Sequence, residues 1–104
     1  MTLGIASVAY PTGGKFDVDY YINKHMPFVQ AKLSPHGLKA WRVAQYTDPN
    51  APYVIQAWLE FENDKQWEVA AASSEAKEVF GDVPNFTDIK PVLLVGSIVG
   101  SQSW

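Results

Sequence analysis

Residues 17–27 read Asp-Val-Asp-Tyr-Tyr-Ile-Asn-Lys-His-Met-Pro. Val18, Tyr21, Ile22, His25 and Val29 recur at helical spacing, so His25 falls one turn beyond Tyr21 on the apolar stripe of a helix. An imidazole there points into the space between helix and sheet. Because its unperturbed pKa lies closest to neutrality, His25 is a candidate general acid or base. Tyr21 would then orient the ring or donate a hydrogen bond to a developing oxyanion. The same position also suits a core histidine bonded to a backbone carbonyl freed by Pro27. Burial disfavours the imidazolium and a nearby helix C-terminus favours it, so the direction of any pKa shift is open at this level. Tyr10, Trp41, Tyr46, Tyr53, Trp58, Trp67 and Phe86 supply walls for an aromatic substrate pocket, and each taken singly also reads as core packing.

Other chemistries find less support. The chain has no cysteine, which removes disulfides, thiolate nucleophiles, zinc-thiolate sites and iron-sulfur clusters. The two histidines are separated by a turn and neither has a carboxylate three or four residues on, so no metal site is expected. Ser7, Ser97 and Ser101 have no Gly-x-Ser-x-Gly elbow, and Gly13-Gly14 is too short to cradle phosphate. His36 sits in a Ser-Pro-His-Gly turn and is expected to be exposed, while Glu60 and Glu62 read as solvated carboxylates. Eleven acidic against eight basic residues, with no basic cluster, argue against a nucleic-acid partner. Small molecules or copies of the chain itself are the expected partners.

The elements that must position these residues follow from patterning. Leu3 to Tyr10 is a short apolar run ending at Pro11-Thr12-Gly13-Gly14, and it reads as a strand covered on both faces. It lacks a basic leader and is too short for a signal core, and the apolar run from Pro91 to Gly100 is too short to span a bilayer. The expected location is the cytosol, with no membrane partner. Asp17 caps a helix starting at about residue 18, and Pro27 predicts a kink or restart just after His25. The helix stops near Ser34-Pro35-His36-Gly37. Leu38–Tyr46 and Tyr53–Phe61 read as strands joined by a hairpin loop over residues 47–52. Asn63-Asp64 offers caps for a helix through about Ala72, and Ser73-Ser74 opens a second short helix to Gly81. Ile89 to Val99 is the last strand, with Pro91 implying an edge or strand start and Gly96 a close approach or bulge.

Strand, helix, strand, strand, helix, strand is the split βαβ order of a ferredoxin-like α+β fold, with helices on one face of a four-stranded antiparallel sheet. All 104 residues fit one such domain. Strand residues of both parities are largely apolar: Ala40, Ala44, Ile55, Ala57 and Leu59 are assigned to one face, and Trp41, Val43, Val54 and Trp58 to the other. The uncovered face is therefore expected to pack on a second copy, giving a homodimer with a barrel-like pair of sheets.

The segment Asp17-x-x-Tyr20-Tyr21-x-x-x-His25-x-Pro27, followed by Gly37-Leu38 and later by Pro84-Asn85-Phe86, resembles the EthD family, named for ethyl tert-butyl ether degradation. The likeness spans nearly the whole chain. It implies a dimeric α+β barrel, in agreement with the split βαβ order. Similar proteins include methylmuconolactone methylisomerase and small fungal decarboxylases and cyclases of aromatic polyketides; in the isomerase-like relatives the helix histidine transfers a proton. His25 is the matching position, and Tyr21 matches the motif as well. The resemblance thus implies an enzyme needing no cofactor, an isomerase, decarboxylase or cyclase acting on a small oxygenated ring such as a lactone or aromatic polyketide. The alternative is an accessory protein that holds a hydrophobic ligand, with His25 structural. Haem binding through the helix histidine, known in the same broad fold class, ranks last, since nothing beyond His25 supports it.

Overall fold

A computed structural model describes residues 3–104. The chain runs β1 (Gly4–Pro11), α1 (Val18–Tyr20), a π-helical turn (Tyr21–His25), α2 (Met26–Leu33), a 3-10 turn (Ser34–His36), β2 (Leu38–Gln45), β3 (Tyr53–Phe61), α3 (Gln66–Ala71), α4 (Ser74–Gly81), a second 3-10 turn (Val83–Asn85) and β4 (Val92–Ser97). The strands form one antiparallel sheet in the order β2-β3-β1-β4, a ferredoxin-like α+β topology. Ala6 and Tyr10 of β1 and Ile55, Ala57, Leu59 and Phe61 of β3 share one buried cluster with Met26, Val29 and Leu33 of α2 and Ala76 and Val79 of α4. Burying each large apolar side chain of this set stabilises the fold by roughly 1.5–3 kcal/mol. Asp17 and Ser73 cap their helices as expected, each side chain accepting from the backbone three residues on.

Several local expectations are corrected. Near Pro27 the chain stays helical, but the α-helical pattern gives way to a π turn over Tyr21–His25 and resumes at Met26, just after His25 as expected. The Met26 amide donates to the Tyr21 carbonyl, one residue further back than in an α-helix, and this widened turn relieves the crowding of the proline ring against the carbonyl of Asn23. The third helix begins at Gln66, not at Asn63-Asp64: the Asn63 side chain accepts from Lys65 N and closes a separate turn. His36 is half-buried, not exposed, with Nε2 3.0 Å from Glu75 Oε1 of α4.

In β2 the two faces are the reverse of those expected. Leu38 pairs with Phe61 but Ala40 pairs with Glu60, so Lys39 is an extra residue, and a one-residue irregularity turns every later side chain over. Trp41 and Val43 consequently share the helix side with Leu59 and Ala57, while Ala40, Arg42 and Ala44 share the open side with Glu60, Trp58 and Gln56. Gly96 marks neither a bulge nor a close approach, since it pairs in register with Ile5 and nothing crowds its Cα. The last strand is also shorter than expected, and Pro91 lies just before its start. Leu93 and Val95 lie on the helix side opposite Val8 and Ala6, yet both are exposed, so the helical layer stops short of this edge.

Candidate active site

His25 is the last residue of the π turn and is only 4% exposed. Its ring stacks on Tyr21 with centroids 5.3 Å apart and lies 4.5 Å from Phe86. Nδ1 is 2.9 Å from Asp82 Oδ2. An ionised carboxylate only accepts, so Nδ1 carries the hydrogen and Nε2 presents a lone pair. Asp82 follows α4 directly, and its Oδ1 accepts from the Tyr20 hydroxyl at 2.7 Å and the Asn85 amide at 2.8 Å. Backbone bonds from Asn85 N to Asp82 O and from Asp17 N to Phe86 O hold this turn against the start of the helix that carries His25.

On its other side His25 borders a cavity of about 90 Å³ between sheet and helices. Val8, Tyr10, Ala57, Val29, Val79 and Trp67 are among its walls. Nε2 has no hydrogen-bond partner among the described residues, and neither do the hydroxyls of Tyr10 and Tyr21, each side chain belonging to a residue 2% exposed. No fully enclosed side-chain nitrogen or oxygen among the described residues lacks a partner, so these three atoms are not fully enclosed, and the three residues that carry them all line this cavity.

The electrostatics follow from depth. Burial lowers the His25 pKa below its ordinary value, and the Asp82 hydrogen bond and charge oppose that shift without cancelling it. Burial pushes the Asp82 carboxyl upward, but the hydrogen bonds from Asn85, His25 and Tyr20 outweigh it and hold the group below the usual carboxylate value. Burial raises both Tyr10 and Tyr21 well above the ordinary phenol value, so both keep their hydrogens as donors. At neutral pH the site therefore consists of an oriented neutral imidazole, an ionised carboxylate behind it and two phenolic donors.

Of the residues singled out in the sequence, the structure brings His25, Tyr21, Tyr10 and Trp67 to this cavity. Phe86 packs on the back of His25, Tyr21 and Tyr10. Trp41, Tyr46, Tyr53 and Trp58 are not among its walls, which corrects the single aromatic pocket. Trp41 sits towards the β2 edge, where its indole donates to Gln30 Oε1 at 3.0 Å. Trp58 and Tyr46 are on the open face of the sheet, Tyr46 donating to Gln56 Oε1 at 2.7 Å. Sequence reasoning missed Asp82, and it quoted Tyr20 and Asn85 in the motif without giving either a role at the site. Asp82 lies 57 positions from His25, and its only local sign is a Gly-Asp-Val-Pro-Asn turn with an acidic residue at a helix end.

No family model and no curated protein matches the chain. Among solved structures, an EthD-like protein from Ralstonia eutropha JMP134 is 28% identical, with a TM-score of 0.83 over 99% of this chain and 97% of that one. A hydroxynitrile lyase from Passiflora edulis superposes at a TM-score of 0.68 with 13% identity, covering 97% of each chain. A dimeric protein of ferredoxin-like fold from Bacteroides fragilis NCTC 9343 reaches 0.60 at 14% identity, over 92% of this chain and 96% of that one. The last two likenesses establish the fold alone. In its ferredoxin-like sheet and over 99% of its length, this chain is similar to the EthD-like protein from Ralstonia.

Proposed function

We propose that the chain is an enzyme that moves a proton on a small oxygenated ring compound, with His25 as the acid-base group. The observation that carries this reading is the His25–Asp82 pair at the wall of an apolar cavity, Nδ1 bonded at 2.9 Å and Nε2 left without a protein partner. With a lone pair on Nε2, His25 removes a proton from carbon next to a carbonyl, and Asp82 stabilises the imidazolium that results. The Tyr21 hydroxyl, or that of Tyr10, donates to the oxygen that gathers charge, and the imidazolium returns the proton to a different atom. Isomerisation, cyclisation and protonation of ring carbon after decarboxylation all use these same groups. Lactones and phenolic polyketides carry the carbonyl or hydroxyl this chemistry needs. That one neighbour is a hydroxynitrile lyase supports including lyase steps within the reach of the fold.

We assign the open sheet face to contact with a second copy. Trp58, Val54, Val92 and Leu94 lie on that face, and one structural neighbour is described as dimeric.

The test is deuterium exchange at the carbon beside the carbonyl of γ-butyrolactone and of cyclohexanone, followed by proton NMR in heavy water. Wild-type protein should accelerate exchange over buffer, and His25→Gln should lower the rate by about 10²-fold or more while the fold persists. Ligand binding in the cavity with no acceleration by wild type would replace the enzyme by the accessory-protein reading.

A further inference from the structure

We infer that the cavity selects an uncharged substrate, admitting a small oxygenated head group to His25 and leaving the apolar remainder at its mouth. The inference rests on the proposed acid-base role of His25 and names the class of molecule that role serves.

The walls contain no Lys, Arg, Asp or Glu. Their titratable side chains are Tyr10, Tyr21 and His25, and burial keeps all three neutral at pH 7, two as phenols and one as imidazole; the Trp67 indole N–H is uncharged as well. An anionic substrate would leave water and meet no counter-charge, and its nearest fixed charge would be the Asp82 carboxylate behind the imidazole. The two lysines on this helix do not supply the missing cation: Lys24 lies over the Tyr20 ring, and Lys32 pairs with Glu78 at 3.1 Å. A carbonyl or hydroxyl, by contrast, finds two phenolic donors and one imidazole acceptor whose hydrogen-bonding capacity no described residue uses.

Size divides the ligand in two. The cavity holds about 90 Å³, whereas an apolar cavity that takes up a benzene ring measures roughly 150 Å³. A ring therefore does not pass wholly inside. The wall ends at Phe80, Pro91 and Leu93, where the helical layer stops short of β4 and Phe80 and Leu93 are 49% and 46% exposed. This apolar rim is where the rest of the substrate rests, with its head turned towards Nε2.

Benzamide and benzoate test the inference, since they match in shape and differ in charge. The readout is the ring signals of isotopically labelled His25 at pH 7.5, titrated with each probe. Benzamide should shift them saturably, and benzoate should bind about tenfold more weakly or worse. Leu93→Lys places a cation on the exposed rim, where folding is least at risk, and should narrow that gap by raising benzoate affinity alone. Benzoate binding as tightly as benzamide to wild type overturns the charge filter; if lactone exchange still requires His25, the proposed enzyme survives. Selective benzamide binding without any exchange leaves the filter standing and removes the enzyme. If neither probe reaches His25 at millimolar concentration, the inference falls.

Discussion

Two opposed effects meet at His25: burial drives its pKa down and Asp82 pulls it back. Asp82→Asn removes the opposing effect, so the His25 pKa should fall further below its wild-type value, read directly by NMR titration of the ring. The same variant leaves one amide oxygen where two carboxylate oxygens served Tyr20, Asn85 and His25, so the tautomer is no longer fixed, and lactone exchange should slow by about 10- to 100-fold. A titration curve that does not move in Asp82→Asn would dissociate the two residues. Tyr21→Phe keeps the stacking surface and removes one donor from a residue that lines the cavity. Its expected signature is a rate loss of about 10²-fold with little change in benzamide binding, because the donor matters most once charge develops on oxygen.

At the scale of elements, the π turn is the device that aims His25. It adds one residue to a helical turn where Pro27 supplies no amide hydrogen, and it places the imidazole between Tyr21, Phe86 and the turn at residues 82–85. Pro27→Ala restores an amide and permits an ordinary α-helix, which would rotate His25 away from Asp82. The helix should survive by circular dichroism, while exchange falls by about 10²-fold, the cost of misplacing a reacting group by an ångström. Unchanged activity would show that the widened turn is incidental. Gly37 has a different duty: at φ +96° it ends the 3-10 turn in the left-handed region, with Gln66 packed where a Cβ would stand. Gly37→Ala should therefore lower stability by about 1 kcal/mol or more in urea unfolding.

Across the whole molecule the buried dyad makes folding depend on pH. His25 has a folded-state pKa below its ordinary 6.5, so its share of stability is fully present above that value and is lost as pH falls through the folded one. Asp82 acts in the same direction at lower pH, its share present above the ordinary 3.8 and lost on further acidification. Urea midpoints should decline between pH 7.5 and 5.5, and the decline should shrink in His25→Phe. The proposed association through the open sheet face is tested at the same scale. Trp58→Glu puts a charge on the open sheet face and should convert a dimer to a monomer by light scattering, while leaving the His25 titration in place. Among the described residues, no helix is long and apolar enough to cross a membrane.

The element order, the ferredoxin-like topology and the position of His25 and Tyr21 on a buried helical face were all determined by the sequence, because apolar periodicity, caps and turn residues are local signals. Which aromatics meet was not. A single extra residue at Lys39 reverses β2, and only pairing with β3 reveals it, so Trp41 moved to the helix side while Trp58 stayed on the open face. The dyad was also invisible, since Asp82 and His25 lie 57 residues apart and meet only when α4 docks on α2. Local patterning determines which face of each element is buried; partners distant in the chain are chosen by how the elements pack, and the Asp82–His25 pair belongs to that second level.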